Sequence, residues 1–483
     1  MSSTAQSSAR DRIISMLDEN SFVEVGAMIT KRSTDFNLLE KEVPADGVIT
    51  GYGVINNKPV YVYSQDASAL HGTIGEMHAK KIANIYDLAL KVGAPVIGLI
   101  DCAGIRLQEA TDALAGFGEV YFKQTLASGV IPQITAIFGS CGGGVAVSTS
   151  LSDFTFMEEK SAKLFVNSPN AIANNYIGKC DTSSAAFQAK AGVVDFVCED
   201  ENEVLSNIRT LISILPSNNE DDSFEDCKDD LNRTLDGLTS ELADPAKALA
   251  DIADSNQFIE VKKEFGKDMV VGFIRLNGMT VGAVANRTAI LDDNYKTVEK
   301  FEGVLTTDGC NKAADFIQFC DAFNIPVVSL TNVTGYKATI DEEQTIAKAS
   351  ARLTYAFANA TVPKVNVIVG KAYGSAYITM NSKSIGADIV FAYPESSIGM
   401  MDAKQAVQIM YQEEINAAKD SVSFINEKAK EYEEIQSSSL SAAKRGYVDT
   451  MIEPESTRKQ LIYALDMLFT KRESRPSKKH GTV

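Results

Sequence analysis

Four short glycine-containing corners hold the residue types best suited to chemistry in this chain. DCAGIR (101–106) and GSCGGGVA (139–146) lie in the first half, NVTGYK (332–337) and GKAYGSAY (370–377) in the second. Each follows a short apolar run that reads as a strand. Glycine lets the backbone approach a ligand closely and take positive φ. A strand–glycine–helix turn presents free backbone N–H groups at the helix start. Two such corners facing one another form a two-donor oxyanion hole, the device that stabilises an enolate or a tetrahedral oxygen in acyl chemistry. It needs backbone amides, not particular side chains.

Other chemistries lack their residues. GSCGGG has no Lys-Ser/Thr to make a phosphate loop, and no G-x-S-x-G elbow with a partner histidine is present. The only histidines are His71, His78 and His480. His71 and His78 stand 78 − 71 = 7 residues apart, two turns of a helix, so joint ligation of a metal is not expected and no metal site is predicted. The seven cysteines form no C-x-x-C pair and are odd in number, as reduced core cysteines are. Cys102 and Cys141, beside the corners, read as small packing residues.

The elements that must position these corners occur twice. Pro95 and Pro326 are 326 − 95 = 231 apart, and the same offset relates Gly104 to Gly335, Pro132 to Pro363, Gly139 to Gly370 and Gly143 to Gly374. Such self-similarity is the mark of a duplicated unit. Further matches follow with insertions: NSFVEV (20–25) with NQFIEV (256–261), and VITGYGVINNKPVYVYSQ (48–65) with VVGFIRLNGMTVGAVANR (270–287). Each copy runs from an alternating strand pattern through a helix pattern (EMHAKKIANIYDLALK, 76–91) to a short apolar strand, then a second helix and another apolar strand. That is an α/β series with strands buried on both faces. Functional loops in such folds lie at the carboxyl ends of strands. Two domains are expected, 1–216 and 241–483, joined by an acidic linker over 217–240, with a charged helical insertion near 402–436.

Composition narrows the functional classes. The chain has 483 residues, 45% of them hydrophobic and 23% charged, with Lys+Arg 46 against Asp+Glu 64, a net charge of 46 − 64 = −18. That balance argues against nucleic-acid binding and against adsorption to an anionic membrane. It leaves room for a local basic patch meeting a phosphorylated ligand. The start, MSSTAQSSARDR, carries no apolar signal core, and no run is long and apolar enough to span a membrane. A cytoplasmic enzyme is expected.

The ordered set ADGVITGYGVINNKPVYVYSQD (45–66), GTIGEMHAKKI (72–82), GLIDCAGIRLQEA (98–110), LASGVIPQITAIFGSCGGG (126–144), VVGFIRLNGMTVGAVANR (270–287), ATVPKVNVIVGKAYGSAY (360–377) and GADIVFAYPESSIGMM (386–401) resembles the carboxyltransferase subunits of biotin-dependent acyl-CoA carboxylases, decarboxylases and transcarboxylase. The resemblance covers nearly the whole chain. It implies a tandem of two crotonase-type β-β-α superhelix (ClpP/crotonase) domains in a homohexamer. It implies a carboxyl group moved between carboxybiotin and the α-carbon of acetyl-CoA or propionyl-CoA, with no metal. The biotin would be carried on a separate carrier protein, and biotin carboxylase or decarboxylase subunits would be partners. By the same resemblance Gly143 and Gly144, with Ala103 and Gly104 nearby, hold the thioester enolate. Ser375 and Ala376, near Gly335, Tyr336, Gly374 and Ile378, hold the biotin ureido oxygen. Lys80, Lys81 and above all Arg106, whose fork suits phosphate, are candidates to meet the CoA phosphates.

The chain departs from the family pattern on the biotin side. Gly374-Ser375-Ala376 stands where glycine-glycine-alanine is usual, and VTGYKATIDEEQ (333–344) keeps only the glycine, the aromatic and a reversed Glu343-Gln344 of its loop. Decarboxylation or transcarboxylation uses the same residues in reverse. A non-catalytic scaffold within such a complex is the other alternative that the altered loops raise.

Overall fold

The computed structural model describes residues 8–32, 43, 45–476, 480 and 481. Residues 1–7, part of the start read above as lacking a signal core, lie outside them. The chain divides into two units, Met1–Asp222 and Ser223–Val483.

The first unit is built on one sheet. Its strands are β1 (Val23–Glu24), β2 (Val48–Ile55), β3 (Lys58–Gln65), β4 (Val96–Cys102), β5 (Gln133–Gly142), β6 (Phe154–Glu158), β7 (Lys163–Phe165) and β8 (Phe196–Cys198). The spatial order is β1-β2-β3-β4-β5-β6-β8, with β7 paired to the far end of β5. β2 and β3 form an antiparallel hairpin. Its turn residues Asn56 and Asn57 both have positive φ, as a two-residue hairpin of primed type requires. From β3 onward the pairing is parallel. Every residue of β4 is buried, which explains its unbroken apolar run. Helices Glu76–Val92 and Ala110–Ala127 supply the crossovers. Ile82, Ile85, Tyr86 and Ala89 of the first and Phe117 and Val120 of the second join β4 and β5 in one core.

The second unit repeats this plan. Its strands are β9 (Ile259–Val261), β10 (Met269–Leu276), β11 (Met279–Asn286), β12 (Ala289–Leu291), β13 (Thr297–Lys300), β14 (Val327–Val333), β15 (Lys364–Tyr373), β16 (Ile389–Ala392), β17 (Ser397–Gly399) and β18 (Thr450–Met451). The order is β18-β16-β15-β14-β11-β10-β9, with β17 paired to β15 and a separate β12–β13 ribbon. The offset of 231 maps β4 onto β14 end to end, since 96 + 231 = 327 and 102 + 231 = 333. Both ladders shift register at the same place, between Ile100 and Cys102 in one and between Thr331 and Val333 in the other. An irregularity of this kind re-aims the chain at a strand end, here where each corner begins.

The sequence 217–240, expected to be a linker, holds no helix or strand before Leu238. Leu235 and Leu238, near its end, are buried in the core of the second unit. The 402–436 insertion is helical, with Ala403, Val407 and Ala429 forming a small core of their own. Among the described residues no helix is long and apolar enough to cross a membrane.

Candidate active site

In the first unit β5 ends at Gly142 and a short helix, Gly144–Ser150, begins two residues later. Gly143 makes the turn with φ 63° and ψ −125°, a conformation that side chains with a Cβ rarely adopt. A Cβ placed on Gly143 would meet nothing within 4 Å, so the space above this turn is open. Its N–H donates to Phe165 O at 2.9 Å. The amides of Gly144 and Val145 follow. They open the helix, where backbone geometry supplies no intrahelical acceptor. At the neighbouring corner the exposed Ala103 donates its N–H to His71 O (3.1 Å), and the Gly104 N–H points to the Cys102 sulfur (3.4 Å). Of the residues expected at the first hole, Gly143 and Ala103 therefore already commit their amides, and Gly144 does not. The sequence reading did not single out the Val145 amide, which stands beside that of Gly144 at the helix start. The repeat carries the signal for it, because 375 − 231 = 144 and 376 − 231 = 145.

The second unit reproduces the turn. Gly374 has φ 61°, and the helix Gly374–Thr379 follows β15 directly. Ser375 is exposed and Ala376 buried, at the start of that helix. A Cβ on Gly335 would meet nothing within 4 Å. The Tyr336 hydroxyl donates to Ser375 Oγ at 3.2 Å. Ile378, half-buried, lies in the same short helix.

The same ties hold both pairs of corners. Ile74 N–H donates to Gly104 O and Arg106 N–H to Ile74 O; Leu305 N–H donates to Gly335 O and Lys337 N–H to Leu305 O, all at 2.9 Å. A carboxylate from the segment after each corner caps the helix that precedes it, Glu76–Val92 in one unit and Thr307–Ala322 in the other. Glu109 accepts from Glu76 N–H (2.6 Å), and Glu342 from Thr307 N–H (2.8 Å). Gly139 lacks a Cβ where the Asp101 carboxylate packs, and Gly370 where the Asn332 amide packs, 2.6 Å from the ideal Cβ position. Asn332 Oδ1 accepts from Lys371 N–H at 3.0 Å.

The three candidate phosphate partners fare differently. Arg106 is 1% exposed. Its guanidinium donates to Asp46 Oδ1 (2.6 Å), Glu109 Oε1 (2.8 Å) and Thr73 O (2.7 Å). A phosphate reaches it only by breaking this buried cluster. Lys81 is also buried, with its ammonium on Ala45 O (2.8 Å) and Val48 O. Burial lowers its pKa to about 8. Lys312, 81 + 231 = 312, occupies the equivalent place and donates to Phe265 O. Burial lowers its pKa to about 7. Only Lys80 is exposed, paired with Glu76 at 2.7 Å.

Neither His78 nor the two corner cysteines are set up as a base. His78 is buried, with its ring between Gln65 Nε2 (3.2 Å) and Asp46 O (2.9 Å). Burial first, and then the charge of Arg106, pull its pKa down to about 3. The folded state therefore holds His78 neutral while the unfolded chain protonates it near its ordinary value. Its contribution to stability is present above about pH 6.5 and is lost as pH falls toward 3. Thermal midpoints of His78→Gln followed from pH 7 down to 4 are expected to fall less steeply than those of the unsubstituted chain. Equal slopes would exclude His78 as a source of acid lability. Burial raises the Cys102 and Cys141 thiols to about 12, consistent with packing rather than nucleophilic roles. Among the described residues no group of three or more His, Cys, Asp or Glu is placed to hold a metal ion.

Two units of one plan each carry a glycine corner that leads from a strand into a short helix. The chain belongs to the carboxyl transferase family, whose domain model matches residues 3–483, and it is a carboxyltransferase of the biotin-dependent acyl-CoA carboxylase, decarboxylase and transcarboxylase group. It is 39% identical over 489 residues to the methylmalonyl-CoA decarboxylase subunit alpha of Propionigenium modestum, covering 98% of this chain and 92% of that one. It is 40% identical over 492 residues to the propionyl-CoA carboxylase carboxyltransferase subunit of Haloferax mediterranei, covering 98% and 93%. The crystal structure of transcarboxylase 12S, a hexamer assembly with methylmalonyl-coenzyme A and methylmalonic acid bound, matches at a TM-score of 0.91 and 36% identity, covering 99% of this chain and 92% of that one. The tandem crotonase-type fold expected from the sequence is the fold observed.

Proposed function

We propose that this chain transfers a carboxyl group between carboxybiotin on a separate carrier protein and the α-carbon of a short acyl-CoA, acetyl-CoA or propionyl-CoA, as a homohexamer in the cytoplasm. Biotin carboxylase or decarboxylase subunits are its partners. The observation that carries the reading is the matched pair of corners, at Gly143 and Gly374, each turned at positive φ where a strand gives way to a short helix. In the first unit Gly144 and Val145 donate to the thioester oxygen as it becomes an enolate. Gly143 shapes the turn, since its own N–H is held by Phe165 O. In the second unit Ser375 and Ala376 donate to the ureido oxygen, beside Gly335, where a Cβ would meet nothing within 4 Å. That open backbone is what a flat bicyclic urea needs to approach, so these residues fit the group. Carboxybiotin supplies the carboxyl group and, once discharged, the nitrogen base. On this reading the chain needs no base of its own. Stabilisation of this kind acts on charge that develops during the reaction, which is why fixed amides suffice. For the CoA phosphates we propose Lys80 as the accessible cation, with Arg106 and Lys81 positioning the loop beneath.

The test is carboxyl exchange between methylmalonyl-CoA or malonyl-CoA and free or carrier-bound biotin. Transfer with a short acyl-CoA is the expected result, and its absence with every short acyl-CoA would overturn the proposal. One observation favours a second reading: the Tyr336–Ser375 hydroxyl contact occupies the second corner. Tight CoA-ester binding without turnover would establish a scaffold subunit instead.

A further inference from the structure

We infer that Gln124 and Asn366 are positioning residues, one for each half of the reaction: Gln124 fixes the helix that presents the Gly144 and Val145 amides, and Asn366 the helix that presents those of Ser375 and Ala376. The inference rests on the reading of the two corners given above.

Both carboxamides are completely buried. In the first unit Gln124, from helix Ala110–Ala127, makes a reciprocal pair with Ser148. Its Nε2 donates to Ser148 O at 3.0 Å, and Ser148 Oγ donates to Gln124 Oε1 at 2.8 Å. Gln133 of β5 donates to the Gln124 carbonyl at 3.0 Å and ties helix to strand. Ser148 lies one helical turn beyond Gly144. Tyr121, on the same helix as Gln124, donates its hydroxyl to Gly144 O at 2.6 Å.

The second unit solves the same problem with other residues. Asn366, the third residue of β15, donates Nδ2 to Met380 O at 3.3 Å. Its Oδ1 accepts from Ser329 (3.0 Å) and Thr331 (2.8 Å) of β14. Asn381 donates to Ser329 Oγ at 3.0 Å and closes the cluster. Met380 in turn donates its N–H to Ala376 O at 3.2 Å. Two hydrogen bonds thus connect Asn366 to the residue whose amide faces the reacting oxygen.

These anchors were not both inherited from the duplication. The offset places Tyr355 opposite Gln124 (124 + 231 = 355) and Thr135 opposite Asn366 (366 − 231 = 135). Satisfied buried polar groups add little net stability over apolar ones of the same shape. Two unrelated polar solutions behind the same kind of helix therefore point to placement of that helix. Shifts of about 1 Å in a catalytic group cost roughly 100-fold in rate.

The experiment is transfer of the carboxyl group of methylmalonyl-CoA to free biotin by the full-length protein, varying each substrate in turn. Asn366→Leu is expected to lower kcat/KM for biotin by roughly 10- to 100-fold, with the Kd for methylmalonyl-CoA, measured by calorimetry, unchanged. Gln124→Leu is expected to do the converse, lowering kcat/KM for methylmalonyl-CoA more than that for biotin. If Asn366→Leu does not fold, Asn366→Thr, the residue that the first unit carries at this place, is expected to show the same selectivity more weakly. Equal losses for both substrates in both variants, or unchanged rates in folded variants, would overturn the assignment. No transfer by the unsubstituted chain would overturn the proposed reaction and this assignment with it.

Discussion

Gly143→Val is expected to lower carboxyl transfer by about 100- to 1,000-fold, the cost of losing an oxyanion donor, while far-UV circular dichroism is unchanged and the thermal midpoint falls only by what about 1–3 kcal/mol of backbone strain costs. The effect is conformational. Gly143 takes φ 63° and ψ −125°, and a β-branched residue there must rotate the turn. The Cβ itself meets nothing within 4 Å, so the core does not object. What moves is the start of the helix, and with it the amides of Gly144 and Val145. Gly144→Val acts differently, because its Cβ would press on the Tyr121 hydroxyl, 2.9 Å away, and on Phe117. It is therefore the poorer test of the hole. Retained turnover in Gly143→Val would refute the role given to this corner.

Arg106→Leu is expected to destabilise the first unit by about 3–5 kcal/mol, as removal of one partner from a buried ion pair does. The substitution leaves Asp46 and Glu109 facing each other without their shared cation. Burial already raises the Asp46 pKa, and Arg106 is what opposes that rise. Without it the folded state holds a proton on Asp46 that the unfolded chain releases at its ordinary value. Stability tied to that proton is complete below the unfolded value near 3.8 and is lost as pH rises through the higher folded value. The thermal midpoint of Arg106→Leu should therefore fall further below that of the unsubstituted chain at pH 8 than at pH 5. A uniform deficit across that range would mean that the lost charge is not the cause.

The two predictions mark where the sequence was legible and where it was not. The offset of 231 between glycines and prolines located β4, β5, β14, β15 and all four corners. Buried parallel strands and positive-φ turns constrain residue type tightly, so their pattern survives in the letters. The partner of an individual donor does not. Nothing near Gly143 in the chain announces that Phe165 O takes its N–H, because β7 reaches that place through the sheet. Arg106 beside a glycine corner suggested a phosphate ligand. Asp46, 60 residues earlier in the chain, claims it instead. The anchoring of Ala376 through Met380 by Asn366 is equally a product of tertiary packing, invisible to motif and periodicity alike.

The placement of Ser375 and Val145 at the two helix starts bears on how this protein tolerates change over generations. A peptide N–H belongs to every residue but proline, so drift at these positions alters the lining of the cradle without erasing its donors. Serine at 375 keeps its peptide N–H in this way. Proline is the single replacement that deletes a donor outright. On the proposed reading, ordinary substitution retunes which ester or carrier is preferred, while the donors for a nascent oxyanion stay in the main chain.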